Sequence, residues 1–118
     1  MDTFSSATLF HIVRKQDWLS GEDKPYYKPE SLEKEGFIHL STREQVIETA
    51  RVYYKGAMDL LLLEVEISHA DPVLKWESVP RSETAFPHYY GELPRTFVKK
   101  VYHFKPNHIG DFTFPSEP

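Results

Sequence analysis

Three of the six histidines stand in separate apolar or aromatic settings, at His11, His39 and His88. Imidazole is the side chain whose unperturbed pKa lies nearest neutrality, so such residues suit proton transfer or ligand orientation if the fold gathers them in one pocket. His39 lies in Gly-Phe-Ile-His-Leu-Ser at residues 36–41, a strand-like run. Alternation there puts Phe37, His39 and Ser41 on one face and Ile38 and Leu40 on the other. The run ends where a helix begins, and free backbone amides with the positive end of the helix dipole favour a phosphate or carboxylate at such a junction. A capping serine beside a core histidine would produce the same pattern. His11 sits between Phe10 and Ile12 and faces away from both, which also fits a histidine on a polar sheet face. His88 is held among rings in Phe-Pro-His-Tyr-Tyr-Gly at residues 86–91, where a packed turn is the plainer alternative. Glu77 follows Trp76, and a carboxylate against an apolar wall has its pKa raised towards the acid–base range; an edge glutamate facing water is the other reading. His69, His103 and His108 fall near turns or in the tail and are assigned no role.

Other chemistries find little support. With no cysteine there is no thiolate nucleophile, no disulfide and no finger-type zinc site. Neither His-x-x-x-His nor His-Glu-x-x-His spacing occurs, so no metal is expected. There is no Gly-x-Ser-x-Gly elbow and no dinucleotide-binding glycine fingerprint. A formal charge of -4 argues against broad nucleic-acid binding, which needs a basic face. The longest apolar run, residues 60–63, falls far short of the ~20 residues of a membrane helix. The expected partner is a small molecule carrying a phosphate or carboxylate in a cytoplasmic setting, and the oligomeric state stays open.

The elements that must position these residues follow from pattern. Residues 8–13 read as a strand, 14–19 as a short helix ended by Ser20 and Gly21, and 22–29 as a loop carrying Tyr26 and Tyr27. A helical turn over 31–35 precedes Gly36 and the strand of His39. Ser41 to Glu44 has the form of a capping box, opening the main helix to about Tyr54 with Val46, Ala50, Tyr53 and Tyr54 on one face. Residues 59–67 read as a central strand buried on both faces, 73–77 as a short strand, and 96–104 as a strand with two differently solvated faces. Pro87 argues against a central strand at 86–91. The class is α+β with a mixed or largely antiparallel sheet and one main helix. The expected organisation is a disordered tail over 1–7, one domain over 8–104 and an irregular tail over 105–118.

Leu-Phe-His-Ile at 9–12 with Trp18, Gly-Phe-Ile-His-Leu-Ser at 36–41, Leu-Lys-Trp-Glu at 74–77 and Phe-Pro-His-Tyr-Tyr-Gly at 86–91 together resemble the DUF952 family, over about residues 8–104. The resemblance implies an ADP-ribosyltransferase-like fold, a split sheet whose cleft holds NAD in active relatives. His39-Leu40-Ser41, the helix with residues 46–50 and the strand at 59–66 are also similar in order to RNA 2'-phosphotransferases. That likeness matches His39 to the second histidine of their His-x-His-Leu-Ser segment and His11 to the residue gripping the nicotinamide-side ribose. Here, however, the arginines at 43, 51, 81 and 95 form no visible cluster, and the last strand lacks Glu-x-Glu. What the resemblance implies is an NAD- or ADP-ribose-related transferase or hydrolase. In it His11 and Ser41 position the ribose, and His39 contacts ribose or phosphate. Glu77 or His88 steadies charge or acts as base, and Tyr26, Tyr27 and Tyr90 flank the ligand. The alternative is a binding module that holds a nucleotide or phosphorylated metabolite without turnover.

Overall fold

The computed structural model describes residues 5–80 and 82–116. Its elements run β1 (Ser6–Arg14), α1 (Lys15–Leu19), β2 (Tyr26–Tyr27), α2 (Glu30–Glu35), β3 (Ile38–His39), α3 (Arg43–Tyr53), β4 (Leu60–Ser68), β5 (Leu74–Glu77), β6 (Phe86–Tyr89), β7 (Leu93–Pro94), a 3-10 turn (Arg95–Phe97) and β8 (Val98–Phe104). They hydrogen-bond into sheets of order β1-β4-β8, β2-β7 and β3-β6-β5, with every strand pair antiparallel. The class is therefore α+β with antiparallel sheets and few helices.

The apolar run of β4 occupies the middle of its sheet because both of its faces are buried. Leu61, Leu63, Val65 and Ile67 join one core with Trp18, Tyr27, Ile38 and Tyr89. Leu60 and Leu62 join a second core, beneath α3, with Phe10, Val46, Ala50 and Phe104. Each large aliphatic side chain buried this way contributes roughly 1.5–3 kcal/mol. β1 follows the same alternation: Phe10 and Ile12 pack towards α3, while Leu9, His11 and Val13 turn to the opposite face. Val46 and Ala50 are the buried residues of α3; Tyr53, expected on the same face, is 77% exposed and lines the cleft instead of joining the core.

Several boundaries differ from those read off the sequence. Tyr26 and Tyr27 form β2, paired with Pro94 and Leu93, rather than a loop; a two-residue strand held by a distant partner leaves no local pattern. β6 is the middle strand of its sheet despite Pro87. The carbonyl of Pro87 accepts from the amide of Leu40 at 3.1 Å, so its missing N–H faces the same side, just past the point where β3 stops. Of the tail expected over 1–7, residues 1–4 lie outside the described residues, and Ser6 and Ala7 already pair with Ser68 and Ile67. Residues 105–116 carry no helix or strand but are not a loose appendage: Phe112 is buried and Phe114 stacks edge-on to Phe10 at 5.1 Å. Residues 117 and 118 and Arg81 lie outside the described residues.

Candidate functional site

A cleft of about 780 Å³ opens beside β1 and is walled by side chains from β1, α1, β2, α2, β3, α3 and β6. Its size suits a small-molecule ligand. His11, His39 and His88 all line it, as do Tyr27 and Ser41. The three histidines thus meet at one cavity, although they stand in three different states.

His11 is sealed. Its Nδ1 lies 2.7 Å from the backbone carbonyl of His39 and its Nε2 2.8 Å from the Tyr27 hydroxyl. Burial pushes its pKa down to about 4, against a smaller opposing effect of the His39 carbonyl, so the ring is neutral at pH 7. A carbonyl can only accept, hence Nδ1 carries the proton and Nε2 accepts from Tyr27. Burial also raises the Tyr27 phenol above its ordinary range, keeping that donor protonated. Both nitrogens of His11 are committed, and a ligand hydroxyl gains its Nε2 only by displacing Tyr27.

His88 is buried but half open chemically. Its Nδ1 lies 2.7 Å from Glu77 Oε1, and the Tyr90 hydroxyl donates to the same oxygen at 2.6 Å. Phe37 stacks on the imidazole with centroids 4.1 Å apart. Glu77 differs from expectation. The hydrogen bond from Tyr90, then that from His88, hold its carboxyl below the usual range, and Trp76, on the other side of the strand, is 47% exposed and forms no apolar wall against it. Glu77 is an ionised anchor for His88, not a proton donor. With Nδ1–H given to that carboxylate, the lone pair of His88 is on Nε2, which makes no hydrogen bond among the described residues.

His39 faces His88 across the β3–β6 ladder, with ring centroids 5.6 Å apart. It is more than half exposed, and its Nε2 meets Glu35 Oε1 at 2.8 Å. Phe37 touches it edge-on at 4.8 Å.

The expected anion site at the start of α3 is not part of the cleft. Ser41 exchanges two backbone hydrogen bonds with Phe10, each 2.8 Å, which holds it in extended conformation and delays the helix by one residue. Thr42 is consequently the cap. Its Oγ1 accepts from the Gln45 amide, and Gln45 Oε1 accepts from the Thr42 amide. These bonds occupy the Thr42 and Gln45 amides, and the first turn of α3 contributes nothing to the cleft wall. Ser41 itself is buried, its Oγ 3.4 Å from Thr49 Oγ1.

Of the remaining residues singled out in the sequence, Glu77 and Tyr90 stand behind His88 rather than on the wall, and Tyr26 is half exposed and off it. The sequence reading missed Glu35 as the partner of His39, the stacking of Phe37 on His88, and Arg14, Asp17 and Glu30 as wall residues. Glu35 had a signal: it precedes His39 by four residues, across the Gly36 turn. Gly36 has φ 91, a left-handed conformation that glycine adopts without cost, and this sharp stop of α2 lets Glu35 reach back to His39. Arg14 is ion-paired with Asp59 at 2.7 Å. Among the described residues no group of three or more His, Asp or Glu side chains is placed to hold a metal ion, and no helix is long and apolar enough to cross a membrane.

Together these features define a small α+β domain of antiparallel sheets around a histidine-lined cleft. The family model described as "Protein of unknown function (DUF952)" matches residues 12–101, and the chain belongs to this family. Among solved structures it is similar to protein CC0527 from Caulobacter crescentus. The crystal structure of that protein matches at 29% identity and TM-score 0.81, covering 91% of this chain and 94% of that one. Its solution NMR structure matches at 30% identity and TM-score 0.77, covering 88% and 90%. No curated protein matches.

Proposed function

We propose that this protein is an NAD- or ADP-ribose-related transferase or hydrolase of ADP-ribosyltransferase-like fold, working in the cytoplasm on a ribosyl group held in the histidine-lined cleft. The observation that carries the reading is the Glu77–His88 pair. A carboxylate fixes the tautomer of a buried imidazole at 2.7 Å, and His88 lines the cleft with an Nε2 that makes no hydrogen bond among the described residues, the arrangement of a general base.

The charge of the wall supports ribosyl rather than phosphoryl chemistry. Arg14 is the one Lys or Arg that lines the cleft among the described residues, and Asp59 already neutralises it. Asp17, Glu30 and Glu35 add carboxylates. Such a wall suits a sugar that develops positive charge as its glycosidic bond breaks. It offers little grip to a diphosphate, so NAD fits through its nicotinamide-ribose half, with the phosphates outside. In this reading Tyr27 and Phe37 flank the ligand, Ser41 and His11 shape the floor beneath the ribose, and His88 takes the proton of the incoming nucleophile.

Calorimetry and ligand-observed NMR with NAD, ADP-ribose and nicotinamide test the ligand class, and chromatography for released nicotinamide tests turnover. Saturable binding with shifts at His39 and His88 is the expected result. No binding at millimolar ligand rejects the proposal. Binding without product points to the non-catalytic module that holds a nucleotide, a reading favoured by the full commitment of both His11 nitrogens.

A further inference from the structure

The cleft holds a second imidazole–carboxylate pair that presents the opposite nitrogen from the first. Glu77 holds His88 by Nδ1 and leaves Nε2, whereas Glu35 holds His39 by Nε2 at 2.8 Å and leaves Nδ1. Neither free nitrogen makes a hydrogen bond among the described residues. The rings meet at 75° with centroids 5.6 Å apart, and Phe37 packs against both, which restrains each from turning. Both histidines line the cleft on adjacent strands where they pair directly, so one bound group can meet a nitrogen of each. Exposure divides them: His39 touches water and can reload a proton between turnovers, while His88 is shielded.

We propose that the two pairs divide the proton traffic of the ribosyl reaction, His39 giving a proton through Nδ1 to the departing group and His88 taking one through Nε2 from the attacking water. This rests on the reading that the cleft takes a ribosyl group, and it narrows the substrate class. Nicotinamide leaves NAD as a neutral molecule and needs no proton. A donor imidazole is useful for a riboside joined through a glycosidic oxygen or neutral nitrogen, which leaves well only when protonated. The substrate class is therefore an O- or N-linked ADP-riboside. In the hydrolysis, the C1″–O bond breaks with its electron pair going to the leaving oxygen, which receives the His39 proton. The water oxygen bonds to C1″ and its proton passes to His88. Glycoside and water become ADP-ribose and alcohol, and both imidazoles return to their starting state by exchange with solvent. Glu35 is a positioning residue, acting through His39.

Phenyl and 4-nitrophenyl ADP-ribosides test this, because nitrophenolate departs without a proton and phenolate departs poorly. His39→Ala and Glu35→Gln are expected to lower kcat on the phenyl compound by about 100-fold or more while leaving the nitrophenyl compound little changed. Glu77→Gln is expected to slow both alike. A purely structural role for Glu35 would reduce both substrates equally, and that result overturns the proposal, as does a wild-type protein that turns over neither compound. Calorimetry with ADP-ribose on the same samples separates the two failures. Binding without turnover rejects the proton pair and leaves the ligand class standing, whereas absent binding rejects the ligand class itself.

Discussion

The buried His11–Tyr27 contact and the His39–His88 pair use the same side chain to different ends. At His11 every polar atom of the ring is satisfied from within: a carbonyl accepts from one nitrogen, a phenol donates to the other, and burial keeps the imidazole neutral. At His39 and His88 each ring spends one nitrogen on a carboxylate, and the other makes no hydrogen bond among the described residues. Both regions hang on the same short ladder, since the carbonyl that fixes His11 belongs to His39. A histidine whose nitrogens are both bonded within the fold stabilises and shapes. One that is bonded on a single side is oriented for work. Mutations should separate the two regions by affecting stability in one and turnover in the other.

The largest effect is expected at the open pair. In the proposed reaction Glu77→Gln releases the His88 tautomer and should lower kcat by about 10²–10⁴-fold, with a thermal midpoint close to wild type because Glu77 is partly solvated. Steady-state kinetics beside a melting curve reads both, and a large loss of stability with unchanged kcat would merge the two regions.

His11→Ala comes next and should act on stability. It opens a cavity and strands both the His39 carbonyl and the Tyr27 hydroxyl, a loss of about 2–4 kcal/mol in urea denaturation. A loss below the cost of a surface substitution would mean that the contact is not sealed.

Acid sharpens the contrast. His11 titrates near 6.5 when unfolded and at about 4 when folded. Between these values the unfolded chain binds more protons, so the contribution is fully present above pH 6.5 and is lost as pH falls through about 4. The shift corresponds to about 3 kcal/mol. Unfolding titrations at several pH values should therefore show a shallower acid decline for His11→Gln than for wild type, and parallel curves would place the proton elsewhere.

Tyr27→Phe should have the smallest effect, about 1 kcal/mol, because it removes one donor while the ring keeps its packing. Its ring stays against Trp18 at a centroid distance of 5.3 Å in the parent, so ligand affinity is the informative second measurement: a change confined to stability assigns the hydroxyl to the sealed region.

Much of the scaffold was legible because it depends on local periodicity. The apolar run at residues 60–63 had to be buried on two faces, and the spacing of Val46 and Ala50 had to face a core. Alternation also placed Phe37 and His39 together, and their rings do touch. The capping frame was misjudged by one residue, since Ser41 is intrinsically the better cap and only its pairing with Phe10 passes that role to Thr42. Pro87 was read by its intrinsic dislike of strands, which holds only where a partner needs its N–H. The Glu77 carboxyl was read from its neighbour in sequence, Trp76, whereas its pKa follows from Tyr90 and His88 across the ladder.

Residue types and their periods alone determined the long strands β1, β4 and β8 and the helix α3, that three imidazoles sit among apolar neighbours, and which family motifs the chain carries. Tertiary structure decided which nitrogens are free. That depends on partners such as the His39 carbonyl for His11 and Tyr27 for the same ring, 28 and 16 residues away, and hydrogen-bond chemistry at such separations is set by where strands pair, not by the chain's local pattern.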